Sequence, residues 1–265
     1  MMKNFVLPEY FKPYTCSNLI RIGKNNDGGY LVDETSMIKT NVLLSFGIDH
    51  DWSFEENFYL NTNCLVHAYD GSVGLIFFIK KLKMRIKGMI TKPNKDYFEV
   101  SKYWFRLPIN FYKFFNVIKD KKGPNHYEKF VGNKKNFITF NETLENIPIE
   151  DKKIYLKIDI EGNEYSLLNE IIKNEELFTG LVIELHEVNK NIKIIENFIN
   201  LFALKIVHIH INNYGEAKQN KLPDVIELTF SRFSNSNNIG GNLPHSLDQS
   251  NDINSWPYKI EFLNQ

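Results

Sequence analysis

The 265-residue sequence contains little cysteine and no excess of charge of either sign. Its two cysteines, Cys16 and Cys64, lie far apart and lack the short spacing of a metal site, so we expect reduced thiols in a cytoplasmic protein. The 32 basic side chains balance the 32 acidic ones. This balance argues against a chain built as a whole to coat nucleic acid or an anionic membrane.

Long hydrophobic runs are also missing. The longest, residues 75–79, is far below the roughly 18 residues that a membrane-spanning helix needs. The first eleven residues contain Lys3, Pro8 and Glu9 and no long apolar run, unlike a signal peptide. We therefore expect no transmembrane segment and a cytoplasmic location. With 43% hydrophobic residues, the chain has enough apolar surface for one α/β domain spanning residues 1–265.

The glycine fingerprint of dinucleotide-binding enzymes, G-x-G-x-x-G, is absent as well. An apolar strand predicted at residues 41–47 ends in Gly47, and three polar residues, Asp49, His50 and Asp51, follow closely. The next predicted strand, residues 64–69, stops at Asp70, where such folds hydrogen-bond a ribose diol. Acidic groups would repel a pyrophosphate. They favour a nucleoside that carries positive charge, a requirement that the sulfonium S-adenosylmethionine meets.

Residues 154–168 predict a buried strand that runs into a helix. Apolar residues alternate through Ile158, and Asp159 and Glu161 follow at the helix start. Open parallel sheets place their ligand crevice beyond the carboxyl ends of the strands, so both carboxylates are candidate site residues. A structural ion pair between Lys157 and Asp159 that only orders the turn is the alternative.

Two further segments bear on the site. Residues 21–32 contain a Gly-Gly turn before a short strand, which suits either a ligand loop or an ordinary hairpin. A helix is predicted after Gly47, with Ser53 as its N-cap and Glu56 as the reciprocal capping partner. A further strand is predicted at residues 136–140.

These segments together resemble the FkbM-type S-adenosylmethionine-dependent methyltransferases. The most specific match is residues 156–162, Leu-Lys-Ile-Asp-Ile-Glu-Gly, although the family has a second glycine near the position of Asp49. The resemblance implies an enzyme with an α/β, Rossmann-like class I fold, whose seven-stranded, mostly parallel sheet has an antiparallel last strand. Gly47 would lie under the methionine moiety and Asp70 on the ribose. The candidate cofactor-binding residues are Asp27, Gly28, Gly29, Tyr30, Gly47, Asp51, Ser53, Phe54, Glu55, Asp70 and Asp159.

Polar residues on the later strands are the candidates for catalysis. We predict His186 as general base with Asp159 as its orienting or charge-stabilising partner, and we include His210 in the catalytic set. Glu161, Asn212 and Asn213 are candidate substrate contacts. Strand spacing puts His210 roughly 14 Å from Asp159, so a divalent metal is allowed but not predicted. The histidines could instead hydrogen-bond one another or the backbone.

The segment at about residues 71–135 is longer than the fold requires, basic and rich in aromatic residues. We predict a helical lid that favours an anionic small-molecule acceptor; a partner interface, a membrane surface or a solvated flap are alternatives. The resemblance implies O-methylation of a sugar hydroxyl in a natural-product or surface-polysaccharide pathway. The basic segment favours a phosphorylated, nucleotide-linked or phosphoramidate-type intermediate of bacterial capsule or surface-polysaccharide biosynthesis. We expect no nucleic-acid partner and leave a homo-oligomer open. A NAD-dependent oxidoreductase and a non-catalytic nucleoside-binding scaffold are the alternative functions.

Overall fold

A computed structural model describes residues 2–91, 95–115, 123–214, 222–239 and 243–263. Its centre is a seven-stranded sheet. The strands in chain order are β1 Val42–Phe46, β2 Leu65–Tyr69, β3 Pro124–Tyr127, β4 Ile154–Ile158, β5 Phe178–Leu185, β6 Lys205–Ile211 and β7 Ile226–Ser231. In space their order is β3-β2-β1-β4-β5-β7-β6, and only β7 runs antiparallel to its neighbours. The predicted Rossmann-like fold class with an antiparallel last strand is confirmed.

The central strands are apolar on both faces because helices cover both sides of the sheet. Every residue of β1 and β4 is buried. Leu43 and Tyr155 belong to one hydrophobic cluster, whereas Leu44 and Leu156 belong to the cluster on the opposite face. This alternation is the two-residue period of a strand buried on both sides.

Seven helices pack around the described parts of the sheet. They are α1 Glu34–Ile38, α2 Ser53–Thr62, α3 Leu75–Thr91, α4 Lys95–Phe114, α5 Phe140–Glu145, α6 Leu168–Lys173 and α7 Val188–Leu201. No helix in the described residues is long and apolar enough to cross a membrane. The predicted cap at Ser53 is wrong, since the N-cap position is Trp52 and Ser53 is the first helical residue. The Ser53 hydroxyl instead accepts from the Lys24 N–H at 3.0 Å.

Short elements surround this layer. Strand Lys3–Leu7 pairs parallel with Tyr258–Phe262, Tyr14–Thr15 pairs antiparallel with Asn235–Ile239, and Leu19–Ile22 pairs antiparallel with Tyr30–Asp33. Short 3-10 helices lie at Glu9–Phe11, Glu164–Ser166 and Glu175–Leu177. Strands Leu19–Ile22 and Tyr30–Asp33 form a hairpin, and the loop between them contains the Gly28-Gly29 turn.

Residues 71–135 contain the helical pair α3 and α4 and the third parallel strand, β3, so the part beyond one helix and one strand lies in the helical pair. A neighbouring prediction is wrong. The strand predicted at residues 136–140 is absent. Asn136 has a positive φ of 71°, Ile138 makes a single bridge to Val131, and Phe140 already begins α5. Thr139 and Glu142 form a capping box there, which stabilises the helix start over strand continuation.

Candidate active site

A cavity of about 890 Å³ lies at the carboxyl ends of β1, β2, β4 and β5. The strand order reverses between β1 and β4, and open α/β sheets bind their ligands at that reversal. The volume suits a ligand of nucleoside size. Of the residues that the sequence singles out, those that line the cavity are Asp27, Gly28, Tyr30, Gly47, Asp51, Phe54, Asp70, Asp159, Glu161, His186 and Asn212.

Gly47 brings the loop after β1 against the end of β4. Its φ is +79°, and a Cβ at this position would lie 1.7 Å from the Asp159 carbonyl oxygen. The Gly47 N–H donates to the Tyr69 carbonyl at 3.0 Å, and the Lys157 ammonium donates to the Gly47 carbonyl. The requirement for glycine therefore comes from backbone conformation and from close backbone approach together.

Asp70 organises the same loop. Its Oδ2 accepts from the Ile48 and Asp49 N–H groups, both at 2.9 Å. Its Oδ1 accepts from the N–H of Ser72 at 2.7 Å and from the hydroxyl of Ser72 at 2.6 Å. A carboxylate has about four acceptor positions, so a ribose diol at Asp70 would have to displace the Ser72 hydroxyl.

A pair of carboxylates faces the cavity from β4 and β5. Asp159 Oδ2 accepts from the Tyr30 hydroxyl at 3.2 Å, and the same hydroxyl is 3.4 Å from Glu184 Oε2. Asn212 Nδ2 donates to Glu184 Oε1 at 3.1 Å. Burial first, and then the charges of Asp159 and Glu227, raise the pKa of Glu184 well above its ordinary value. A cationic ligand would relieve the repulsion between these carboxylates.

Glu184 is not among the site residues predicted from the sequence. The signal for it was present, because Glu184 shares its strand face with His186, two positions further on. That face lies beside Asp159 once β4 and β5 pair.

His186 enters the cavity with a buried carboxylate behind it. Glu164 Oε1 accepts from the His186 N–H at 2.7 Å and lies 3.3 Å from its Nδ1. His186 Nε2 lies 3.4 Å from a carboxylate oxygen of Glu161 and 3.4 Å from one of Glu184. Burial lowers the pKa of His186, but the hydrogen bond and charge of Glu164, with the charges of Glu161 and Asp159, raise it overall.

The partner that orients His186 is thus Glu164 rather than Asp159 alone. Glu164 is fully buried, and its Oε2 accepts from the Gly162 N–H at 2.8 Å. Sequence reasoning missed this residue because its segment predicts an ordinary first helical turn. The structure instead has a 3-10 turn at Glu164–Ser166 that brings the carboxylate to the end of β5.

Among the residues that the structure describes, two groups of side chains have metal-ligand geometry. Asp159, Glu184 and His186 offer one ligand atom each, all within 4.8 Å of one another. A second group, His208, His210 and Asp248, meets the same limit. Mixed imidazole and carboxylate donors suit zinc and related divalent ions.

His210 belongs to this second group and does not line the cavity. Its Nε2 lies 2.9 Å from Asn251 Oδ1 and its Nδ1 lies 2.6 Å from the Tyr258 hydroxyl. Asp248 Oδ1 is 2.9 Å from His208 Nε2 and 3.3 Å from His210 Nδ1. The arrangement is a hydrogen-bond network that links β6 to residues 248–251 and to Tyr258.

The four other predicted residues outside the cavity lining have local partners. Gly29 lies against the Lys24 carbonyl, and the Ser53 hydroxyl accepts from the Lys24 N–H, as described above. Glu55 is fully buried and accepts from the Ser45 hydroxyl at 2.5 Å. Asn213 donates to the carbonyl of Asp252 at 3.0 Å.

Comparisons with known proteins found relatives by structure only. No protein-family model matches the chain, and no curated protein matches it. The chain is similar to the fibrillarin pre-rRNA processing protein of Methanococcus jannaschii, with 12% identity over 74% of this chain and 68% of that chain and a TM-score of 0.38.

Two further similar structures are described as follows. The M. jannaschii protein TYW2, in complex with AdoMet, has 10% identity, covers 83% of this chain and 89% of its own, and has a TM-score of 0.34. A S-adenosylmethionine-dependent methyltransferase from Clostridium acetobutylicum has 10% identity, covers 76% of this chain and 84% of its own, and has a TM-score of 0.33.

Proposed function

We propose that this chain is a S-adenosylmethionine-dependent methyltransferase that acts on a hydroxyl group. The observation that carries the proposal is the carboxylate pair Asp159 and Glu184, which faces a nucleoside-sized cavity beside the Gly47 loop. Of the described lining residues, seven are carboxylates and three are lysines. Such a cavity favours a cationic nucleoside and disfavours a pyrophosphate.

The residues around Gly47 fit this cofactor. The positive φ of Gly47 and its missing side chain leave room where a Cβ would close the approach to Asp159. Asp70 anchors the loop, and its Oδ1 becomes available to a ribose hydroxyl when the Ser72 hydroxyl rotates away. The sulfonium charge of the cofactor would stabilise the carboxylates of Asp159 and Glu184. When bound, the cofactor supplies an activated methyl group with a good leaving group.

Proton removal is the task of the protein. The Nδ1 of His186 faces Glu164, which leaves Nε2 to accept a proton from an acceptor hydroxyl in the cavity. Glu164 then stabilises the imidazolium that forms, as the carboxylate does in a catalytic triad. Holding the hydroxyl in line with the methyl group and excluding water supply much of the remaining rate enhancement.

The acceptor that we propose is a sugar hydroxyl, on a sugar or on a phosphorylated or phosphoramidate-type intermediate of bacterial surface-polysaccharide assembly. The support comes from the family resemblance and from the lysines of the lining. Lys134 is exposed at the cavity and lies 5.6 Å from the Phe137 ring, where it could meet an anionic group. The α3 and α4 helices of the insertion do not line the cavity in the described residues, but Trp104 stacks on His50 of the rim at 5.4 Å.

Binding measurements test the cofactor first. We expect S-adenosylmethionine and S-adenosylhomocysteine to raise the melting temperature and NAD to have no effect. Stabilisation by NAD alone would reject the proposal in favour of an oxidoreductase. If none of the three compounds binds, the proposal is also rejected, and a scaffold protein is favoured.

Catalysis is tested with His186→Ala. We expect turnover to fall by roughly 10²–10⁴, the usual contribution of a general base, while the affinity for S-adenosylhomocysteine stays nearly unchanged. Acceptors should be compared as free sugars and as their phosphorylated forms. Equal losses of turnover and cofactor affinity would reject the base role of His186.

A further inference from the structure

The helical pair α3 and α4 carries an exposed apolar surface that no described part of the chain covers. On α3, Leu75, Ile79, Ile86 and Ile90 are 42% to 76% exposed. At 100° per residue, these four positions fall within roughly 60° of the helix circumference. They therefore form one apolar stripe along the helix, while the exposed Ile76 and Met84 lie outside it, about 100° and 180° from Leu75.

The inward face of α3 carries two cations beside the buried ring of Phe78. Lys81 Nζ lies 5.3 Å from the centroids of both the Phe77 and the Trp104 rings, and the Arg85 guanidinium lies 5.2 Å from the Trp104 ring. Two cations thus pack inward on aromatic rings while the branched aliphatic residues point outward. An amphipathic surface helix normally has the reverse arrangement.

The second helix repeats the pattern. On α4, Phe105, Ile109 and Tyr112 are 38% to 56% exposed and also fall within roughly 60° of the helix circumference. The ring of Tyr112 lies 6.2 Å, centroid to centroid, from the buried ring of Phe78, so α3 and α4 pack side by side next to the two stripes. We call this surface, formed by Leu75, Ile79, Ile86, Ile90, Phe105, Ile109 and Tyr112, the apolar platform.

Basic residues border the apolar platform. Residues 75–91 contain five basic residues and no acidic one, and residues 100–115 contain three basic residues and no acidic one. On α3, Lys80, Lys83 and Lys87 lie beside the stripe on the exposed side of the helix. On α4, Lys102, Arg106 and Lys113 hold the corresponding positions. The chain as a whole has no net charge, so this surface is a local concentration of positive charge.

We propose that the apolar platform and its lysine border bind the surface of an anionic lipid bilayer. Exposed aliphatic and aromatic side chains would enter the acyl boundary, while the lysines and arginine contact anionic headgroups. A second copy of this chain is a poorer occupant. A twofold interface through the platform would place its basic border against the same basic border. The inference does not depend on the proposed methyl transfer.

Co-sedimentation of the full chain with lipid vesicles tests this. We expect binding to vesicles that contain phosphatidylglycerol, weaker binding at high salt, and little binding to vesicles of phosphatidylcholine alone. The charge variant Lys80→Gln/Lys83→Gln/Lys87→Gln should weaken binding by about fivefold for each lysine. The apolar variant Leu75→Gln/Ile79→Gln/Ile86→Gln should abolish detectable binding, because it removes the stripe.

Matched control variants carry the same kinds of substitution outside the apolar platform. The variant Ile38→Gln/Leu60→Gln/Leu201→Gln replaces three exposed apolar residues on other helices, and Lys153→Gln/Lys193→Gln/Lys259→Gln removes three exposed lysines elsewhere. Both controls should bind vesicles like the unmodified chain. Because all four variants change exposed side chains, melting temperature and nucleoside binding should remain at the level of the unmodified chain and verify folding.

Three results would overturn the proposal. The first is no binding of the unmodified chain to anionic vesicles. The second is equal binding by the platform variants and their controls. The third is a concentration-dependent dimer, seen by analytical ultracentrifugation, that the apolar variant abolishes while vesicle binding is absent; this would assign the platform to a second copy.

Discussion

The substitution Glu164→Gln tests whether a buried carboxylate sets the basicity of His186. In the structure one oxygen of Glu164 accepts from the His186 N–H at 2.7 Å and faces its Nδ1 at 3.3 Å. Glutamine can keep an oxygen at that position, so the ring orientation is retained while the charge is lost. The pKa of His186 should therefore fall, and the acid limb of the kcat/KM profile should move to lower pH.

The size of the effect follows from the bond that is weakened. A hydrogen bond to a charged group contributes about 1.5–3 kcal/mol, so weakening it in the transition state lowers kcat by roughly 10- to 150-fold on the plateau. The fold also loses stability. The amide nitrogen of glutamine would face the Gly162 N–H, which now donates to Glu164 Oε2 at 2.8 Å, at a cost of about 1–3 kcal/mol.

The stability difference should itself depend on pH. Because the folded protein raises the pKa of His186, this contribution is complete below the unfolded value of about 6.5 and is lost as the pH rises through the folded value. Denaturant unfolding near pH 5 should therefore show a larger difference between the two proteins than near pH 9. The loss of the Gly162 hydrogen bond contributes equally at both values.

Glu161→Gln is the matched control. Its Oε2 lies 3.4 Å from His186 Nε2, but its side chain is 86% exposed, so solvent screens its charge. It should move the acid limb in the same direction by much less than Glu164→Gln. If Glu164→Gln leaves the limb in place, or if both variants shift it equally, Glu164 does not tune the base.

Three other substitutions, one of them with a glycine control, test the cavity and its support. Gly47→Ala should cost about 3 kcal/mol or more and abolish nucleoside binding, because its Cβ would lie 1.7 Å from a backbone oxygen. Gly162→Ala, also at a positive φ but with nothing within 4 Å, should cost only about 1 kcal/mol, and equal losses by denaturant unfolding would contradict the role of close approach. Glu55→Gln should stabilise the protein at neutral pH, because burial raises the pKa of Glu55. This gain in the free energy of unfolding should vanish as the pH falls below about 4.5. Destabilisation at neutral pH would instead favour an ion pair between Glu55 and Lys157. Asp159→Asn should weaken binding of S-adenosylmethionine roughly tenfold while binding of uncharged S-adenosylhomocysteine changes little in calorimetry, and equal weakening would contradict a contact with the sulfonium.

Strand identity could be predicted from the sequence because the strands carry strong local patterns. The apolar runs of β1, β2 and β4 are buried on both faces. The strands predicted at residues 41–47, at residues 64–69 and from residue 154 match the observed ones to within a few residues, unlike the strand predicted at residues 136–140. The sequence has no comparable pattern for pairings between strands that lie far apart in the chain. Strand Lys3–Leu7 pairs with Tyr258–Phe262 at the other end of the chain, and neither segment alone indicates its partner. Edge strand β3 begins at Pro124, which is allowed at a first strand position but weakens the sequence signal.

The candidate site was predictable where a residue directly follows a strand and less so elsewhere. Glu164 was missed because its role depends on a 3-10 turn that the sequence does not indicate, whereas Glu184 was missed although it shares a strand face with His186. Ser53 and Glu55 were selected by their nearness in sequence to the cavity loop. The α2 helix directs Glu55 into the core, where it meets Ser45, and directs the Ser53 hydroxyl toward Lys24.

A geometric rule accounts for five of the residues that reach the cavity, although Lys157 and Glu184 line it from within β4 and β5. The residue immediately after the end of a strand lines it in five cases, which are Gly47, Asp70, Asp159, His186 and Asn212 after β1, β2, β4, β5 and β6. His210 lies two positions before Asn212, within β6 and opposite Glu227 of β7. Two residues of strand amount to roughly 7 Å, enough to move an imidazole from the rim into the layer behind it. His186 and His210, alike in sequence character, therefore belong to different sites: the first faces the ligand cavity and the second a buried network.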